Sequence, residues 1–241
     1  MAEIVRINAV KKLYKNNRGI KDITLTVNRG DVLGLLGPNG SGKTTIMKLL
    51  CGLIRKNSGE LKLFGLDAED NFERVMKSVG SLIEAPAIYK KLSAIDNLML
   101  VARMHGVDKE KALETLKTVG LLPYANDRAE RFSLGMKQRL GLSMALVGNP
   151  ELVILDEPVN GLDIEGVVGV REIIEEQNKK GTTFIISSHI ASELEKVCNR
   201  VAVLYDGEVA AEDTVSDIER KYPSLEEYFL EQIKQKRGAL L

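Results

Sequence analysis

The sequence has no tryptophan, and it has only two cysteines, Cys51 and Cys198, among 241 residues. The cysteines lie far apart without a second Cys or His at metal-ligand spacing, which favours reduced core thiols over a disulfide framework or a zinc site. No stretch approaches about 18 consecutive apolar residues, which argues against a membrane-spanning helix. Residues 1–3 lack the charged and apolar regions of a signal peptide. These absences predict a soluble, cytoplasmic protein.

A charge excess of either sign is also absent, because 34 Lys and Arg residues balance 34 Asp and Glu residues. The chain as a whole therefore has no positive field that would attract nucleic acid or anionic lipid, although the composition does not exclude a local basic patch. We therefore expect no nucleic-acid partner. Hydrophobic residues make up 44% of the chain and charged residues 28%. At this length, the composition predicts one domain with a substantial core, with or without a subdomain, rather than two independent domains.

The segment Gly37 to Thr44 fills the phosphate-binding pattern G-x-x-x-x-G-K-[ST], directly after an apolar stretch, Val32 to Leu36, that predicts a buried strand. Glycines let backbone N–H groups turn toward phosphates, and a helix starting near Gly42 directs its positive dipole end at them. Lys43 would reach the outer phosphates, and Thr44 would offer a hydroxyl to Mg²⁺. The residues predicted to bind a nucleoside triphosphate are Gly37, Pro38, Asn39, Gly40, Ser41, Gly42, Lys43, Thr44 and Thr45.

A second apolar strand, predicted for residues 152–157, ends in two carboxylates, Asp156 and Glu157. We predict that Asp156 binds the metal through a water. Glu157 would orient or deprotonate the water that attacks the γ-phosphate, a role that typically contributes about 10²–10⁴-fold in rate. The alternative is an acidic pair that only ends a strand at a solvated sheet edge, since acidic residues are mostly exposed. The phosphate loop in the same chain favours the catalytic interpretation.

The pattern ahead of the phosphate loop predicts an antiparallel β layer. Residues 3–27 have strand-like spacing, with alternation at Ile23, Leu25 and Val27 and a turn signal at residues 16–19. Further strands are predicted at residues 60–64, 79–83, 182–187 and 200–205, the last in a hairpin with residues 208–211.

Between residues 93 and 148 the pattern changes to helical spacing, which predicts an all-helical subdomain. After it, strands alternate with helices, as in βαβ units with a parallel sheet. The predicted fold is therefore α/β: a P-loop NTPase core with a mixed sheet, an antiparallel β subdomain and an inserted helical subdomain. The core would comprise residues 1–92 and 149–212, and residues 213–241 would form a C-terminal helical tail.

Four further segments narrow the function. Residues 132–138, Phe-Ser-Leu-Gly-Met-Lys-Gln, resemble the LSGGQ signature of ABC-type ATPases, and residues 160–163, Asn-Gly-Leu-Asp, resemble their D-loop. His189 closes a Ser-Ser-His segment where that family has its switch histidine, and Tyr14 lies where the family stacks an aromatic ring on adenine. The motifs occur in family order, so the chain is identified as a member of the ABC ATPases.

Membership implies ATP and Mg²⁺ as cofactors, and it implies that ATP is shared between two subunits. In this family a second helix N-terminus binds the γ-phosphate held by the opposite subunit. The matching residues are Ser133, Gly135, Met136 and Asp163. His189 would donate a hydrogen bond to the γ-phosphate and to the attacking water. Simpler alternatives stay open: Ser133 as a helix N-cap, His189 as a helix N-terminal residue without a ligand, and Tyr14 as a core aromatic residue.

Glu84 stands where most family members have a glutamine that touches Mg²⁺ and links to the membrane partner. An acidic residue there adds charge next to a polyphosphate, yet it could ligate Mg²⁺ as a hard oxygen donor. Glu84, Pro86, Ile88 and Tyr89 together resemble the bacitracin-resistance and lantibiotic-immunity branch, as do residues 224–229. The resemblance implies a subunit that powers peptide-antibiotic export or a related self-protection system.

The leading hypothesis is an ATPase subunit of a membrane transporter. Two subunits, identical or paralogous, would close around two Mg·ATP and drive a separate permease at the cytoplasmic face of the membrane. The alternative is a soluble ABC ATPase acting on nucleic acid or the ribosome, for which coiled-coil insertions or a second ATPase unit are expected and are not seen. A small-molecule phosphotransferase is disfavoured by the signature segment.

Overall fold

The computed structural model describes residues 2–15 and 18–238, so Asn16 and Asn17 of the predicted turn, and residues 239–241 of the predicted tail, lie outside the described residues. The strands are β1 (Glu3–Leu13), β2 (Gly19–Asn28), β3 (Val32–Leu36), β4 (Ser58–Leu63), β5 (Leu66–Asp67), β6 (Val79–Leu82), β7 (Leu152–Asp156), β8 (Thr183–Ser188), β9 (Arg200–Tyr205) and β10 (Glu208–Thr214). The helices are α1 (Lys43–Leu50), α2 (Phe72–Met76), α3 (Ala94–Met104), α4 (Lys109–Thr118), α5 (Leu134–Leu146), α6 (Ile164–Lys179), α7 (Ala191–Glu195), α8 (Val215–Lys221) and α9 (Leu225–Gly238).

In the described part of the chain the strands form one ten-stranded sheet, in the order β5-β4-β1-β2-β10-β9-β3-β8-β7-β6. The run β9-β3-β8-β7-β6 is parallel, whereas β5, β4, β1 and β2 pair antiparallel. The predicted α/β fold with a mixed sheet is confirmed. Alternate residues of β3 enter two different core clusters, with Leu33 and Leu35 in one and Leu36 in the other. A strand buried on both faces accounts for the continuous apolar run in the sequence.

The antiparallel strands β5, β4, β1 and β2 join the rest of the sheet at a seam between β2 and β10, and β10 pairs antiparallel with β9. At the seam, β2 and β10 pair in parallel through Asp22 and Glu208. Beside this pair, the Lys21 N–H donates to the Gly207 carbonyl oxygen at 2.9 Å, and the Lys21 ammonium lies 2.5 Å from a carboxylate oxygen of Asp206. The antiparallel layer that the sequence predicts is thus an extension of the central sheet.

Several predicted boundaries shift by one or two residues for local reasons. The strand predicted to reach Glu157 ends at Asp156, because Glu157 has a φ of +50° and turns the chain out of the sheet. The helix predicted to start near Gly42 covers Lys43–Leu50, and Gly52, with a φ of +65°, lies just beyond its C-cap.

The segment between β6 and β7 contains α3, α4 and α5, with two short 3₁₀ helices before α5. Each α-helix begins with a capping side chain that accepts a backbone N–H bond: Ser93, Asp108 and Ser133. Their apolar faces join the core cluster that also covers one face of the sheet, so the N-terminus of α5 is held in a fixed place relative to the strand ends. Within residues 2–15 and 18–238, no helix has both the length and the apolar character needed to cross a membrane.

Candidate active site

The phosphate-binding segment passes from β3 to α1 through a loop in which two glycines permit close approach. A Cβ on Gly37 would lie 2.4 Å from the carbonyl oxygen of Leu204, and a Cβ on Gly42 would lie 2.7 Å from Cγ2 of Ile20. Gly42 also has a φ of +111°, in the left-handed region that disfavours other residues. The loop is therefore pressed against β9 and β2, and the first residues of α1 line a cleft.

The ammonium group of Lys43 is enclosed by this loop. Its side chain is 6% exposed, and Nζ donates to the Gly37 carbonyl oxygen at 2.7 Å and lies 3.8 Å from Oε1 of Glu157. Burial lowers the pKa of Lys43, and the negative charges of Glu157 and Asp156 oppose that shift. A desolvated cation at the edge of a cleft gains from a bound anion, and a phosphate group would supply one.

Thr44, Asp156 and Ser187 form a chain of hydrogen bonds across three neighbouring elements. The Thr44 hydroxyl donates to Oδ2 of Asp156 at 3.0 Å, and the Ser187 hydroxyl donates to Oδ1 of Asp156 at 2.5 Å. Asp156 is 3% exposed, and it pairs with Ser187 in the register of β7 and β8. The chain presents hydroxyl and carboxylate oxygens together at the carboxyl ends of the parallel strands, where open α/β sheets bind ligands.

The carboxylate of Glu157, the residue after Asp156, lies between His189 and Lys43. Its backbone N–H donates to the Ser187 hydroxyl oxygen at 2.9 Å, and its Oε2 lies 2.9 Å from Nδ1 of His189. The other carboxylate oxygen faces Lys43. The Glu157 side chain is 23% exposed, so water reaches it. A carboxylate held by a backbone turn and oriented by a histidine can accept a proton from a water molecule.

A cleft of about 570 Å³ lies over these groups. The predicted site residues that line it are Tyr14, Asn39, Gly40, Gly42, Lys43, Thr44, Thr45, Glu84, Asp156 and Glu157. Tyr14 is 42% exposed, and the Lys12 ammonium lies 5.7 Å from the centre of its ring. Tyr14 is not enclosed as a core aromatic residue would be. His189 does not line the cleft itself, but it contacts Glu157, which does. The loop residues that do not line the cleft are Gly37, Pro38 and Ser41.

The four residues predicted to bind the γ-phosphate of an opposite subunit lie around a separate surface cleft of about 430 Å³. Ser133 and Asp163 act there as helix N-caps: Ser133 Oγ accepts from Met136 N at 3.2 Å, and Asp163 Oδ1 accepts from Gly166 N at 2.8 Å. Gly135 and Met136 line the same cleft. Within one chain, the structure therefore does not bring these residues to the phosphate loop.

Glu84 lies at the edge of the first cleft, directly after Ile83, in a left-handed backbone conformation with a φ of +62°. Its Oε1 accepts a hydrogen bond from Lys48 Nζ at 2.6 Å, and this bond raises the pKa of Lys48. Lys48 belongs to the last turn of α1, whose first turn contains Lys43. The carboxylate that the sequence offers as a metal ligand is thus paired with a cation.

Several residues around the cleft carry no role in the sequence analysis. Ser187 donates to the Asp156 carboxylate and accepts from the Glu157 backbone N–H. Lys48 pairs with Glu84, and Gln138 and Asn160 line the cleft wall. Gln138 and Asn160 lie inside the signature and D-loop segments, so the motif match already pointed to them. The pairing of Ser187 with Asp156 depends on the register of β7 and β8, and the pairing of Lys48 with Glu84 depends on tertiary packing.

Comparison with known proteins shows the family of this chain. The family profile described as ABC transporter matches residues 20–160. The chain is 41% identical over 230 residues to the lantibiotic transport ATP-binding protein SrtF of Streptococcus pyogenes, covering 95% of this chain and 97% of that protein. It is 38% identical over 227 residues to the bacitracin transport ATP-binding protein BcrA of Bacillus licheniformis, covering 92% of this chain and 74% of that protein.

A solved structure described as the ATP-binding subunit of an ABC transporter superimposes with a TM-score of 0.85 at 28% sequence identity. The match covers 95% of this chain and 99% of the other. The profile, the relatives and the superposition all identify the same family. The chain belongs to the ABC transporter family, in which it is an ATP-binding and ATP-hydrolysing subunit.

Proposed function

We propose that this chain hydrolyses ATP to power a separate membrane permease that transports a peptide antibiotic or a related toxic compound. The observation that carries the proposal is the assembly of Lys43, Thr44, Asp156 and Glu157 at one edge of the parallel sheet, under a cleft large enough for a nucleotide. The cargo is suggested by the relatives, which are named for lantibiotic and bacitracin transport. Glu84 supports the same cargo, because it stands where most family members have glutamine and resembles the bacitracin-resistance and lantibiotic-immunity branch.

In the proposed hydrolysis, Glu157 is the general base. Its Oε1 side faces Lys43, and its Oε2 side is held by His189 at 2.9 Å. The carboxylate would take a proton from the attacking water, and His189 would hydrogen bond to the γ-phosphate. Lys43 and the N–H groups at the start of α1 would bind the outer phosphates and stabilise charge that develops on them. Tyr14, exposed at the rim, would stack on the adenine ring.

The residues present fit Mg²⁺. Thr44 Oγ1 and Asp156 Oδ2 lie 3.0 Å apart and are hard oxygen donors. No group of three or more His, Cys, Asp or Glu side chains suited to a metal occurs among residues 2–15 and 18–238. The ion would take these protein oxygens together with substrate phosphates and waters. When bound, Mg²⁺ would neutralise negative charge on the β- and γ-phosphates. Glu84 is the third proposed ligand.

A second copy of this chain, or a paralogue, would complete each nucleotide site. The separate cleft around Ser133 and Asp163 contains the N-terminus of α5, which suits an anion. Leu134 and Ile164 are 55% and 85% exposed in the same region, which supports an interface there. In the closed pair, Ser133, Gly135, Met136 and Asp163 of one subunit would face the γ-phosphate held by the other.

The permease would dock near Glu84 and residues 86–105, and the complex would place the chain at the cytoplasmic face of the membrane. Tyr89 and Met104 are 63% and 84% exposed in this segment, so the surface offers large apolar side chains to a partner. With balanced charge over the chain, we expect no nucleic-acid partner.

The test is a mild-detergent affinity purification of the tagged chain from its native cells, followed by mass spectrometry. A polytopic membrane protein in stoichiometric amount is the expected result, and expression of the pair in a sensitive host should raise its tolerance of a peptide antibiotic. Recovery of ribosomal proteins or nucleic acid without a membrane protein would contradict the proposal and favour the soluble alternative. A Glu157→Gln chain with the same permease should give no protection.

A further inference from the structure

The carboxylate of Glu84 reaches the edge of the nucleotide cleft while it is bound to a cation from another element. Its Oε1 lies 2.6 Å from Lys48 Nζ. The Lys48 side chain is 29% exposed and that of Glu84 is 65% exposed, so the ion pair lies at the surface, and Glu84 lines the cleft. Lys48 extends from the last turn of α1, whereas Glu84 follows β6. The pair therefore joins the phosphate-loop helix to the segment that leads into α3.

The charges around the cleft explain why such a pair matters. Three carboxylates face it, those of Asp156, Glu157 and Glu84. Asp156 and Glu157 are satisfied by Thr44, Ser187, His189 and Lys43. The third carboxylate, that of Glu84, is paired with Lys48. A polyphosphate carries several negative charges, and an unpaired carboxylate beside it would repel it, most strongly at low ionic strength.

We propose that Lys48 is a positioning residue of the nucleotide site, which neutralises Glu84 and holds its carboxylate against α1 so that metal-free ATP can enter the cleft. Lys48 does so through Glu84 and makes no contact with the nucleotide. The left-handed backbone at Glu84, with a φ of +62°, costs free energy for a residue with a Cβ. The bond from Lys48 fixes the direction of the side chain and, as an exposed ion pair, adds little to the stability of the fold.

This inference rests on the proposed nucleotide site, and both can be tested together by measuring ATP affinity in EDTA. The probe is ATP displacing a fluorescent ATP analogue from the full chain, at about 0.05 M and at about 0.5 M salt. The variants are Lys48→Met, Glu84→Gln and the double variant. Lys48→Arg is the conservative variant. Lys180→Met is the matched control, because Lys180 Nζ also lies 2.6 Å from a glutamate, Glu176, on the distant end of α6.

We expect Lys48→Met to weaken ATP binding about five- to tenfold at low salt and less than about twofold at high salt, because added ions screen the exposed Glu84 charge. In EDTA Glu84 has no metal to bind, and replacing it by Gln removes the repelling charge. Glu84→Gln should therefore bind metal-free ATP at least as tightly as the wild type, and the double variant should bind it more tightly than Lys48→Met. Lys48→Arg and Lys180→Met should match the wild type. Thermal unfolding without nucleotide should be nearly the same for all variants.

Two results would overturn the inference. Unchanged affinity in Lys48→Met would show that Glu84 needs no neutralising partner. A double variant as weak as Lys48→Met would show that Lys48 acts directly on ATP or on the fold, and not through Glu84. Lys43→Ala separates these failures from failure of the site itself. If the wild type did not bind ATP, or bound it no better than Lys43→Ala, the proposed nucleotide site would fall and this inference with it.

Discussion

Nδ1 of His189 lies 2.9 Å from Oε2 of Glu157, at the end of two adjacent parallel strands. The contact orients the carboxylate that we propose as general base. Glu157→Gln keeps the shape and removes the basic oxygen. We expect turnover of Mg·ATP to fall at least about 100-fold, with ATP affinity unchanged within about threefold.

Single-turnover and equilibrium-binding measurements check this prediction, and size-exclusion chromatography with ATP should show a longer-lived dimer. Glu176→Gln on α6 is the control, because that glutamate lies outside the site and pairs with Lys180. Near-normal turnover in Glu157→Gln would remove Glu157 from the mechanism.

We expect Lys43 to strengthen ATP binding while it adds nothing to the stability of the nucleotide-free chain. Burial lowers its pKa, which means that the folded chain disfavours its charged form when no anion is bound. Lys43→Met should therefore unfold without nucleotide at a temperature at least equal to that of the wild type. It should also lose the stabilisation that ATP gives the wild type, because ATP affinity should fall about tenfold or more. Thermal scans with and without ATP measure both effects. A large loss of stability without nucleotide would contradict the assigned role.

Ser187 is expected to align both carboxylates. Its hydroxyl donates to Asp156 Oδ1 at 2.5 Å and accepts from Glu157 N at 2.9 Å, and the side chain is fully buried. Ser187→Ala would remove a partner from the buried Asp156 carboxylate and from the partly buried Glu157 N–H, at a cost of about 1–3 kcal/mol in the free energy of unfolding. Turnover should fall about 10- to 100-fold, because the position of the base changes.

The matched control is Ser143→Ala, since Ser143 is also fully buried and its hydroxyl donates to the Leu140 carbonyl inside α5. That variant should lose stability and keep turnover per folded chain. Metal-free ATP binding should survive in both variants. Equal turnover in Ser187→Ala and Ser143→Ala would show that Ser187 only supports the fold.

The two thiols give a prediction for alkaline pH. Burial raises the pKa of Cys51 to about 11 from an ordinary value of 9.0, and burial also raises the pKa of Cys198. The unfolded chain releases these protons first, so stability is fully present below about pH 9 and falls as the pH rises toward 11. For Cys51 the loss is about 2–3 kcal/mol across that range, at 1.36 kcal/mol per pKa unit.

Urea unfolding at pH 8 and pH 10.5 measures the slope, and Cys51→Ala should reduce the loss between these two values. In the native chain at pH 8, a thiol reagent should label neither cysteine, whereas both should react in denaturant. Rapid labelling of the native chain would contradict the buried placement of the thiols.

The sequence predicts the fold well where the signal is local. The apolar run at residues 32–36 becomes β3 over those residues, since a strand buried on both faces needs continuous apolar side chains. The alternation of Ile23, Leu25 and Val27 becomes β2, and each of the three is buried. The phosphate loop and the strand end with Asp156 were also predictable, because their chemistry depends on residues close together in the sequence.

The rest depends on which distant segments meet. Glu84 was predicted as a metal ligand, but no pattern in the sequence places Lys48, 36 positions away, at its carboxylate. The direction of the Glu157 side chain comes from a positive φ and from the Ser187 hydroxyl across the sheet. Backbone conformations of this kind are set by tertiary contacts that overrule local preference. Ser133 is likewise fixed as an N-cap in the single chain, whatever it binds in a pair.

The seam between β2 and β10 has a mechanical consequence. Strand pairing across it in the described residues involves Asp22 and Glu208, so the two parts of the sheet are joined by far fewer hydrogen bonds than their own strands share. Tyr14 lies on one side of this junction and the phosphate loop lies on the other, yet both line one cleft. We therefore expect a nucleotide bound in this cleft to contact both parts of the sheet and to link them across the junction.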